Sequence, residues 1–179
     1  MELTKVDGRR SGRIGTALLY RIYLLTMRGE SIHWLRLRRW IFDRLLGRRH
    51  RRLNIFADVF IEGIEGLTLG DDVSINRGCN LSAAGGLVIG NHVSIAHSTS
   101  ILTTEHGFSD PGMPIKEQPV TFAPVAIGDD VWIGARVCIL AGVSLPTGTI
   151  VAAGAVVNRA VAEPNCTIGG VPAKVLKKR

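Results

Sequence analysis

Aliphatic residues recur at every sixth position along two thirds of this chain. The series are Leu69, Ile75 and Leu81; Ile89, Ile95 and Ile101; and Ile127, Ile133, Ile139, Leu145, Val151 and Val157. A spacing of six fits neither an amphipathic helix nor an alternating strand. It is typical of a parallel β-helix, in which each short strand presents one aliphatic side chain to the interior. The sequence therefore predicts a mainly β solenoid with three strands in each coil.

Two interruptions of the spacing predict departures from regular coils. Leu81 and Ile89 are eight positions apart, which predicts a small bulge near Ala84-Gly85-Gly86. Ile101 and Ile127 are twenty-six positions apart, and prolines at 111, 114, 119 and 124 oppose regular strand between them. We therefore expect one long protruding loop over about residues 103–125. Loops of this length in a compact fold usually carry function.

Residues 1–54 are predicted to form a separate basic arm. Residues 1–52 hold fourteen Lys and Arg against four Asp and Glu, whereas residues 53–179 hold eight against eleven. The stretch 31–46 interleaves aliphatic and aromatic residues, Trp34 among them, with arginines and predicts an amphipathic helix. Two compatible interpretations stay open: the arm contacts an anionic membrane surface, or it caps the exposed end of the solenoid.

Composition excludes several classes of protein. The apolar run 17–25 is interrupted by Arg21 and is too short to span a bilayer, so we expect a cytoplasmic protein. The three cysteines have no paired spacing, which favours a reducing compartment. The pI of about 9.9 raises the question of nucleic acid. The basic residues alternate with aliphatic ones and no nucleic-acid motif follows, so no such partner is expected.

The repeat, the motif Val131-Trp132-Ile133-Gly134-Ala135 and the closing motif of residues 169–177 resemble the hexapeptide-repeat acetyltransferases. The resemblance is strongest to the galactoside, maltose and bacterial surface-polysaccharide O-acetyltransferases, and it covers about residues 55–179. It implies a left-handed parallel β-helix, acetyl-CoA as co-substrate, a saccharide acceptor and a homotrimer with active sites between subunits. It implies no metal.

On the acceptor side, the resemblance implies roles for His106 and Asn76. His106 lies in Thr103-Thr104-Glu105-His106, where the loop begins, at the position of the family's catalytic base. Imidazole suits removal of a hydroxyl proton near neutral pH. Asn76 matches an acceptor-contacting asparagine, with a corner-stabilising Asn as the alternative. Ala84 stands where the galactoside enzymes have an acceptor-binding Asp, so the acceptor geometry differs from theirs.

On the donor side, the resemblance implies that Trp132 lies beside the thioester and pantetheine arm. The alternative for Trp132 is simple packing. Ala135 and Ala153 would let the pantetheine pass close to backbone amides, which can also stabilise a developing oxyanion.

Further positions are implied for the rest of coenzyme A. Lys174 and Lys177 match cations near its phosphates. Asn158 and Arg159 match a corner that lines the coenzyme.

Three other functions stay open from the sequence. A zinc enzyme of the same fold needs three convergent histidines, and only His92 and His97 imitate part of that spacing. An N-acetyltransferase acting on an amino sugar would use the same base. A non-catalytic β-helix could serve as a scaffold at the membrane, and such a protein would not be stabilised by acetyl-CoA.

Overall fold

The six-residue spacing folds into a solenoid of three parallel sheets in the computed structural model, which describes residues 13–179. Each of the first four coils adds one strand to sheet A, one to sheet B and one to sheet C, and the fifth adds strands to sheets A and B. Two helices precede the first coil, and a long loop interrupts the third. The predicted mainly β solenoid with a helical arm and one protruding loop is confirmed. Its left-handed sense stays a prediction.

Most strands are only two or three residues long. Sheet A contains β1 (Asn54–Ile55), β4 (Ser74–Ile75), β7 (Ser94–Ile95), β12 (Trp132–Ile133), β15 (Ile150–Val151), β17 (Cys166–Gly170) and the antiparallel β18 (Ala173–Lys178). Sheet B contains β2 (Phe60–Glu62), β5 (Asn80–Ser82), β8 (Ser100–Ile101), β13 (Cys138–Ile139) and β16 (Val156–Val157). Sheet C contains β3 (Leu67–Leu69), β6 (Leu87–Ile89), β11 (Val125–Ile127) and β14 (Ser144–Leu145).

The interior consists of aliphatic side chains stacked from coil to coil. In sheet A, Ile55 pairs with Ile75, Ile75 with Ile95, Ile95 with Ile133, and Ile133 with Val151. All five side chains are at most 1% exposed. Because burial of an aliphatic side chain contributes about 1.5–3 kcal/mol, each coil is stabilised mainly by the residues that define the repeat.

The corners between sheets use left-handed backbone conformations at regular places. Asp58, Gly78, Ser98, Arg136 and Gly154 occupy the same place in successive A–B corners, the segments that join sheet A to sheet B, and all have positive φ. This conformation costs glycine little and is tolerated by Asp, Asn and His. Glycine and small polar residues therefore recur at the corners.

The predicted bulge lies in the B–C corner between β5 and β6. A Cβ atom on Gly85 would lie 2.2 Å from the Thr103 carbonyl oxygen of the next coil. Gly86 has a φ of 98°. The B–C corner of the first coil, between β2 and β3, has the same length, so both corners exceed the six-residue spacing, and glycine occupies the tight positions of this one.

The long loop leaves the solenoid at the B–C corner of the third coil. Its two ends form an antiparallel pair, β9 (Thr104–His106) and β10 (Val120–Phe122), and residues Ile115–Glu117 form a 3₁₀ turn. The expectation that this interval lacks regular strand is wrong at the ends of the loop. These strands pair with each other and not with a neighbouring coil, so they need not follow the six-residue spacing.

Helices α1 (Arg13–Thr26) and α2 (Ile32–Leu45) pack against the first coil. Tyr23 and Phe42 are buried with their rings 5.0 Å apart in an edge-to-face arrangement. The Tyr23 hydroxyl donates to the Val59 carbonyl, and burial raises the pKa of this hydroxyl. Both helices thus cover the side of the first coil that has no preceding coil.

Arg38 is the central polar contact of this cap. Its side chain is fully buried and donates to three carbonyl oxygens, those of Ile55 at 2.7 Å, Thr26 at 2.7 Å and Gly29 at 2.8 Å. Burial lowers the pKa of the guanidinium. A charge normally kept in solvent is therefore used here to satisfy backbone groups between α1, α2 and β1.

Neither helix within residues 13–179 is both long and apolar enough to cross a membrane. Residues 1–12 of the predicted basic arm lie outside the described residues. The division into an arm of residues 1–54 and a β-helix of residues 55–179 stays a prediction, and β1 begins at Asn54.

We expect Arg38→Met to destabilise the protein by about 3 kcal/mol or more, because it leaves buried carbonyl oxygens without a donor. Arg36→Met, on the exposed side of the same helix, should change stability by less than about 0.5 kcal/mol. Denaturant unfolding of both variants measures the difference. Equal midpoints would contradict the role assigned to Arg38.

Candidate functional site

His106 lies on an exposed strand face at the base of the long loop. It is the last residue of β9 and pairs with Val120 of β10, while Thr104 pairs with Phe122. Directly opposed residues share a face, as do residues two apart along a strand. His106 therefore shares its face with Val120 and Phe122, which are 42% and 63% exposed. Its imidazole is set among apolar side chains at the surface.

Thr103 fixes the start of the loop to the preceding coil. Its buried Oγ1 donates to the Ser82 carbonyl at 3.0 Å and accepts from the Gly85 N–H at 2.9 Å. The residue three positions before His106 is thus held rigidly. This contact was not predicted, because it depends on the coil below.

Gln118 holds the remainder of the loop together. It is 6% exposed, and its Nε2 donates to the carbonyl oxygens of Asp110 at 2.8 Å and Met113 at 3.0 Å. Its Oε1 accepts from the Asp110 N–H at 3.2 Å. The structure gives Gln118 a physical role as the internal brace of the loop.

The tip of the braced loop is apolar. Phe108, Met113 and Ile115 are 68%, 41% and 59% exposed. They line a cavity of about 500 Å³ together with Asp110, Gly112 and Gln118. A folded loop that presents apolar side chains is typical of a surface that contacts another molecule.

Asn76, Ala135 and Ala153 all lie in A–B corners, on the second, fourth and fifth coils. The Asn76 Nδ2 donates to the Ile95 carbonyl at 3.0 Å, so Asn76 does stabilise its corner. Ala153 is exposed, and a Cβ atom on the adjacent Gly154 would meet nothing within 4 Å. The fifth-coil corner therefore offers backbone that a ligand can approach closely.

Trp132 lies on the outer face of sheet A and is 55% exposed. Its neighbours in the sheet are Ser94 on one side and Ile150 on the other. The side chain is therefore not part of the core of the isolated chain, and its place beside the thioester stays a prediction. The indole is available for a contact outside the chain.

Lys174 and Lys177 share a face of β18 because of a bulge. Lys177 pairs with Thr167 and Lys174 with Gly169, and the register shifts between Thr167 and Ile168. Residues three apart on a regular strand point to opposite faces, but the shift at this bulge places both lysines on one face.

Lys177 also continues a row that crosses the outer face of sheet A. The row runs from Trp132 through Ile150 and Thr167 to Lys177. Three inter-strand spacings separate Trp132 from Lys177, which is about 14 Å. Asn158 and Arg159 are exposed in the B–C corner of the fifth coil, away from this row.

One chain does not bring all the predicted site residues together. His106 is carried at a B–C corner, whereas Asn76, Ala135 and Ala153 lie at A–B corners and Trp132 on sheet A. Sheet B separates the two kinds of corner. A site that uses both sets of residues is therefore incomplete within a single chain.

The histidine pair considered for zinc does not converge. His92 lies in a C–A corner and His97 in an A–B corner, on opposite ends of β7. His92 Nδ1 is 2.9 Å from Asp72 Oδ2, at a corner position with a φ of 58°. Within the described part of the chain, no group of three or more His, Cys, Asp or Glu side chains could hold a metal ion.

Comparison with known proteins finds similarity to a hexapeptide-repeat family and to acetyltransferases. Residues 124–159 match the family described as the hexapeptide repeat of succinyl-transferase. The chain is 34% identical over 113 residues to a probable acetyltransferase of Mycobacterium tuberculosis, covering 63% of this chain and 37% of that protein. It is 31% identical over 128 residues to Escherichia coli WbbJ, covering 68% of this chain and 64% of WbbJ. The chain thus spans less than two thirds of either relative. The name of WbbJ assigns it to lipopolysaccharide biosynthesis as an O-acetyl transferase.

Solved structures extend the likeness over nearly the whole chain. A hexapeptide-repeat acetyltransferase from Vibrio cholerae, solved with acetyl coenzyme A, has a TM-score of 0.79 and 26% identity, covering 96% of this chain and 91% of that one. A maltose O-acetyltransferase from Clostridium difficile has a TM-score of 0.79 and 25% identity, covering 93% of this chain and 85% of that one.

A further sequence relative is an N-acetyltransferase. This Staphylococcus aureus 2,3,4,5-tetrahydropyridine-2,6-dicarboxylate N-acetyltransferase is 48% identical over 61 residues, which is 34% of this chain and 25% of that protein.

Proposed function

Because the chain is similar to hexapeptide-repeat acetyltransferases, we propose that it transfers the acetyl group of acetyl-CoA to a hydroxyl group of a saccharide. The maltose O-acetyltransferase and WbbJ support an acceptor of this class. We place the reaction in the biosynthesis of a surface polysaccharide or lipopolysaccharide.

The proposed mechanism is direct transfer, with His106 as the general base. The imidazole takes the proton of the acceptor hydroxyl as the oxygen attacks the thioester carbonyl carbon. Negative charge develops on the carbonyl oxygen, and a backbone N–H near Ala135 stabilises it. The carbon–sulfur bond then breaks, and the CoA thiolate takes the proton from the imidazolium. The products are an acetyl ester and the free thiol of CoA.

The acceptor would be held by Asn76. Its amide is already oriented by the hydrogen bond to the Ile95 carbonyl, so its Oδ1 can accept from a sugar hydroxyl without losing much rotational freedom. The donor would follow the row from Trp132 to Lys177, with the indole near the thioester. Lys174 and Lys177 would approach the phosphates. Asn158 and Arg159 would line the coenzyme from the B–C corner of another copy.

The observation that carries the proposal is the separation of His106 from the donor residues within one chain. A homotrimer of three-sided prisms can set the B–C corner of one copy beside the A–B corner of the next, as a heterologous interface repeated around a threefold axis. The apolar tip of the long loop, with Phe108 and Ile115 exposed, would pack on the neighbouring copy. Each active site would then be shared by two subunits.

An amino group is the second candidate acceptor. The likeness to an N-acetyltransferase over 61 residues favours it, and the same imidazole could take a proton from the attacking amine. Parallel assays with two sugars that differ only by hydroxyl or amine at one carbon separate the two reactions.

A non-catalytic scaffold is distinguished by a different measurement. Such a protein would gain no thermal stability from acetyl-CoA, since a ligand stabilises only the protein that binds it.

We also propose that the enzyme works at the cytoplasmic face of an anionic membrane. Leu18, Arg21, Leu25 and Arg28 follow one another at spacings of three or four along α1 and just beyond it, and all are exposed. Leu18 and Leu25 are 58% and 84% exposed. Apolar and cationic side chains on one helix face are typical of a surface that lies in the membrane interface.

His106→Ala should lower kcat by roughly 10²–10⁴, the usual contribution of a general base, while leaving thermal stability unchanged. His33→Ala, which removes an exposed histidine on α2, should leave kcat near that of the unmodified protein. Release of CoA thiol in steady-state assays measures both. A normal rate for His106→Ala would remove the mechanism.

Mixing two inactive variants should restore activity if each site is shared. His106→Ala lacks the base, and Ala153→Trp fills the donor corner, yet a mixed trimer contains sites with an intact base from one copy and an intact corner from another. Random mixing should restore about one quarter of the sites. Refolding the variants together and separately measures this. Activity no greater than the sum of the separate variants would contradict a shared site.

The full chain should float with vesicles that contain anionic lipid and less with neutral vesicles. Binding should weaken as salt is raised, because each surface cation contributes about 1 kcal/mol and is screened. Leu25→Gln should reduce flotation, whereas Val88→Gln, on the exposed face of sheet C, should not. Full-length protein that stays unbound at low salt would show that the arm only caps the solenoid.

A further inference from the structure

A second cavity lies at the carboxyl end of α2 and shares no lining residue with the proposed acetyl-transfer site. Its volume is about 320 Å³, within the range of small-molecule sites. It is lined by Trp40, Asp43, Arg44, Gly47, Arg48 and Arg49. α2 packs on β1, the first strand of sheet A, whereas the lysine-bearing β18 is the last strand of that sheet. The cavity and the donor-side lysines therefore lie at opposite ends of the solenoid.

The lining is strongly cationic, with three arginines against one aspartate. Arg48 is bound to Asp71, its Nη2 lying 2.6 Å from Asp71 Oδ1. Within residues 13–179, Arg44 and Arg49 form no ion pair. Their side chains are exposed at the cavity and are available for an anion from outside the chain.

The single acidic group of the lining is already engaged. Asp43 Oδ1 accepts from the His50 backbone N–H at 2.9 Å and lies 2.7 Å from Nδ1 of the buried His50 ring. The Arg39 side chain donates to the His50 carbonyl. These contacts hold the turn after α2 against the helix. The backbone that carries the three arginines of the cavity is therefore fixed in position.

Arg48 also fixes the cavity to the solenoid. Its Nη1 donates to the Leu69 carbonyl at 3.2 Å, in addition to its contact with Asp71. On the other wall, the Arg44 guanidinium lies 4.9 Å from the centre of the Trp40 ring. The cavity is therefore built from α2, the turn and the first coil, and its aromatic wall orients one of the free arginines.

We propose that this cavity binds the phosphate group of an anionic lipid headgroup. Guanidinium groups present paired N–H donors that match phosphate oxygens. Trp40 is 46% exposed beside them, and indole rings concentrate at the boundary between water and lipid. Free phosphate would satisfy the arginines equally well, but it would make no use of the exposed indole.

The test compares two double variants that remove the same charge. Arg44→Gln with Arg49→Gln alters the cavity, and Arg36→Gln with Arg136→Gln alters exposed arginines outside it that also form no ion pair within residues 13–179. Binding is measured to phosphatidylcholine vesicles with and without phosphatidic acid. The cavity variant should lose on the order of tenfold more affinity for phosphatidic acid vesicles than the control, since charge-assisted hydrogen bonds are lost as well as charge.

Other outcomes would overturn the inference. Equal losses in the two variants would mean a diffuse electrostatic attraction without a site. Binding of inorganic phosphate by calorimetry, with no binding of phosphatidic acid vesicles, would assign the cavity to free phosphate. Failure of the unmodified protein to bind any anionic vesicle would also refute it.

The inference stands apart from the proposed reaction. Vesicle binding is measured without either substrate, and neither Arg44 nor Arg49 belongs to the acetyl-transfer machinery. The cavity variant should therefore retain the rate of acetyl transfer to a soluble acceptor. Because both side chains are exposed, it should also keep the unfolding midpoint of the unmodified protein.

Discussion

The structure depends on one constraint: every short strand must satisfy its backbone hydrogen bonds with the coils above and below it. A strand of two residues, such as β4, has too few bonds and too little buried surface to be stable alone. Stacking of the coils supplies both the missing hydrogen bonds and the buried surface. The Ser74 N–H donates to the Val93 carbonyl of the next coil, and Ile75 packs on Ile95. The aliphatic spacing and the parallel pairing are two expressions of the same requirement.

The constraint also decides where chemistry can occur. Interior positions must be aliphatic and corner positions must tolerate left-handed backbone, so functional side chains are restricted to the outer faces, the corners and the inserted loop. His106, Trp132 and Lys177, which are proposed site residues, occupy such places. The same logic explains Arg38 and the two helices, because the first coil has no predecessor to accept or donate its hydrogen bonds.

The parts of the molecule that follow the local spacing could be predicted from sequence, and those that depend on distant contacts could not. Ile75, Ile95 and Ile133 were placed inside by their spacing alone. The brace made by Gln118 and the anchor made by Thr103 join segments whose relation appears only in three dimensions. The bulge that brings Lys174 and Lys177 to one face has no sequence signal either, because it follows from the pairing of β18 with β17.

The long loop leaves the coil and returns to it without disturbing the stack. Ile101, before the loop, still pairs with Ile139, and Ile127, after it, still pairs with Ile89. The loop at this corner can therefore differ in length while the pairing of the coils stays the same. Insertion or deletion at such a corner changes the loop without altering the pairing of the coils, so the proposed acceptor side can vary independently of the proposed donor side.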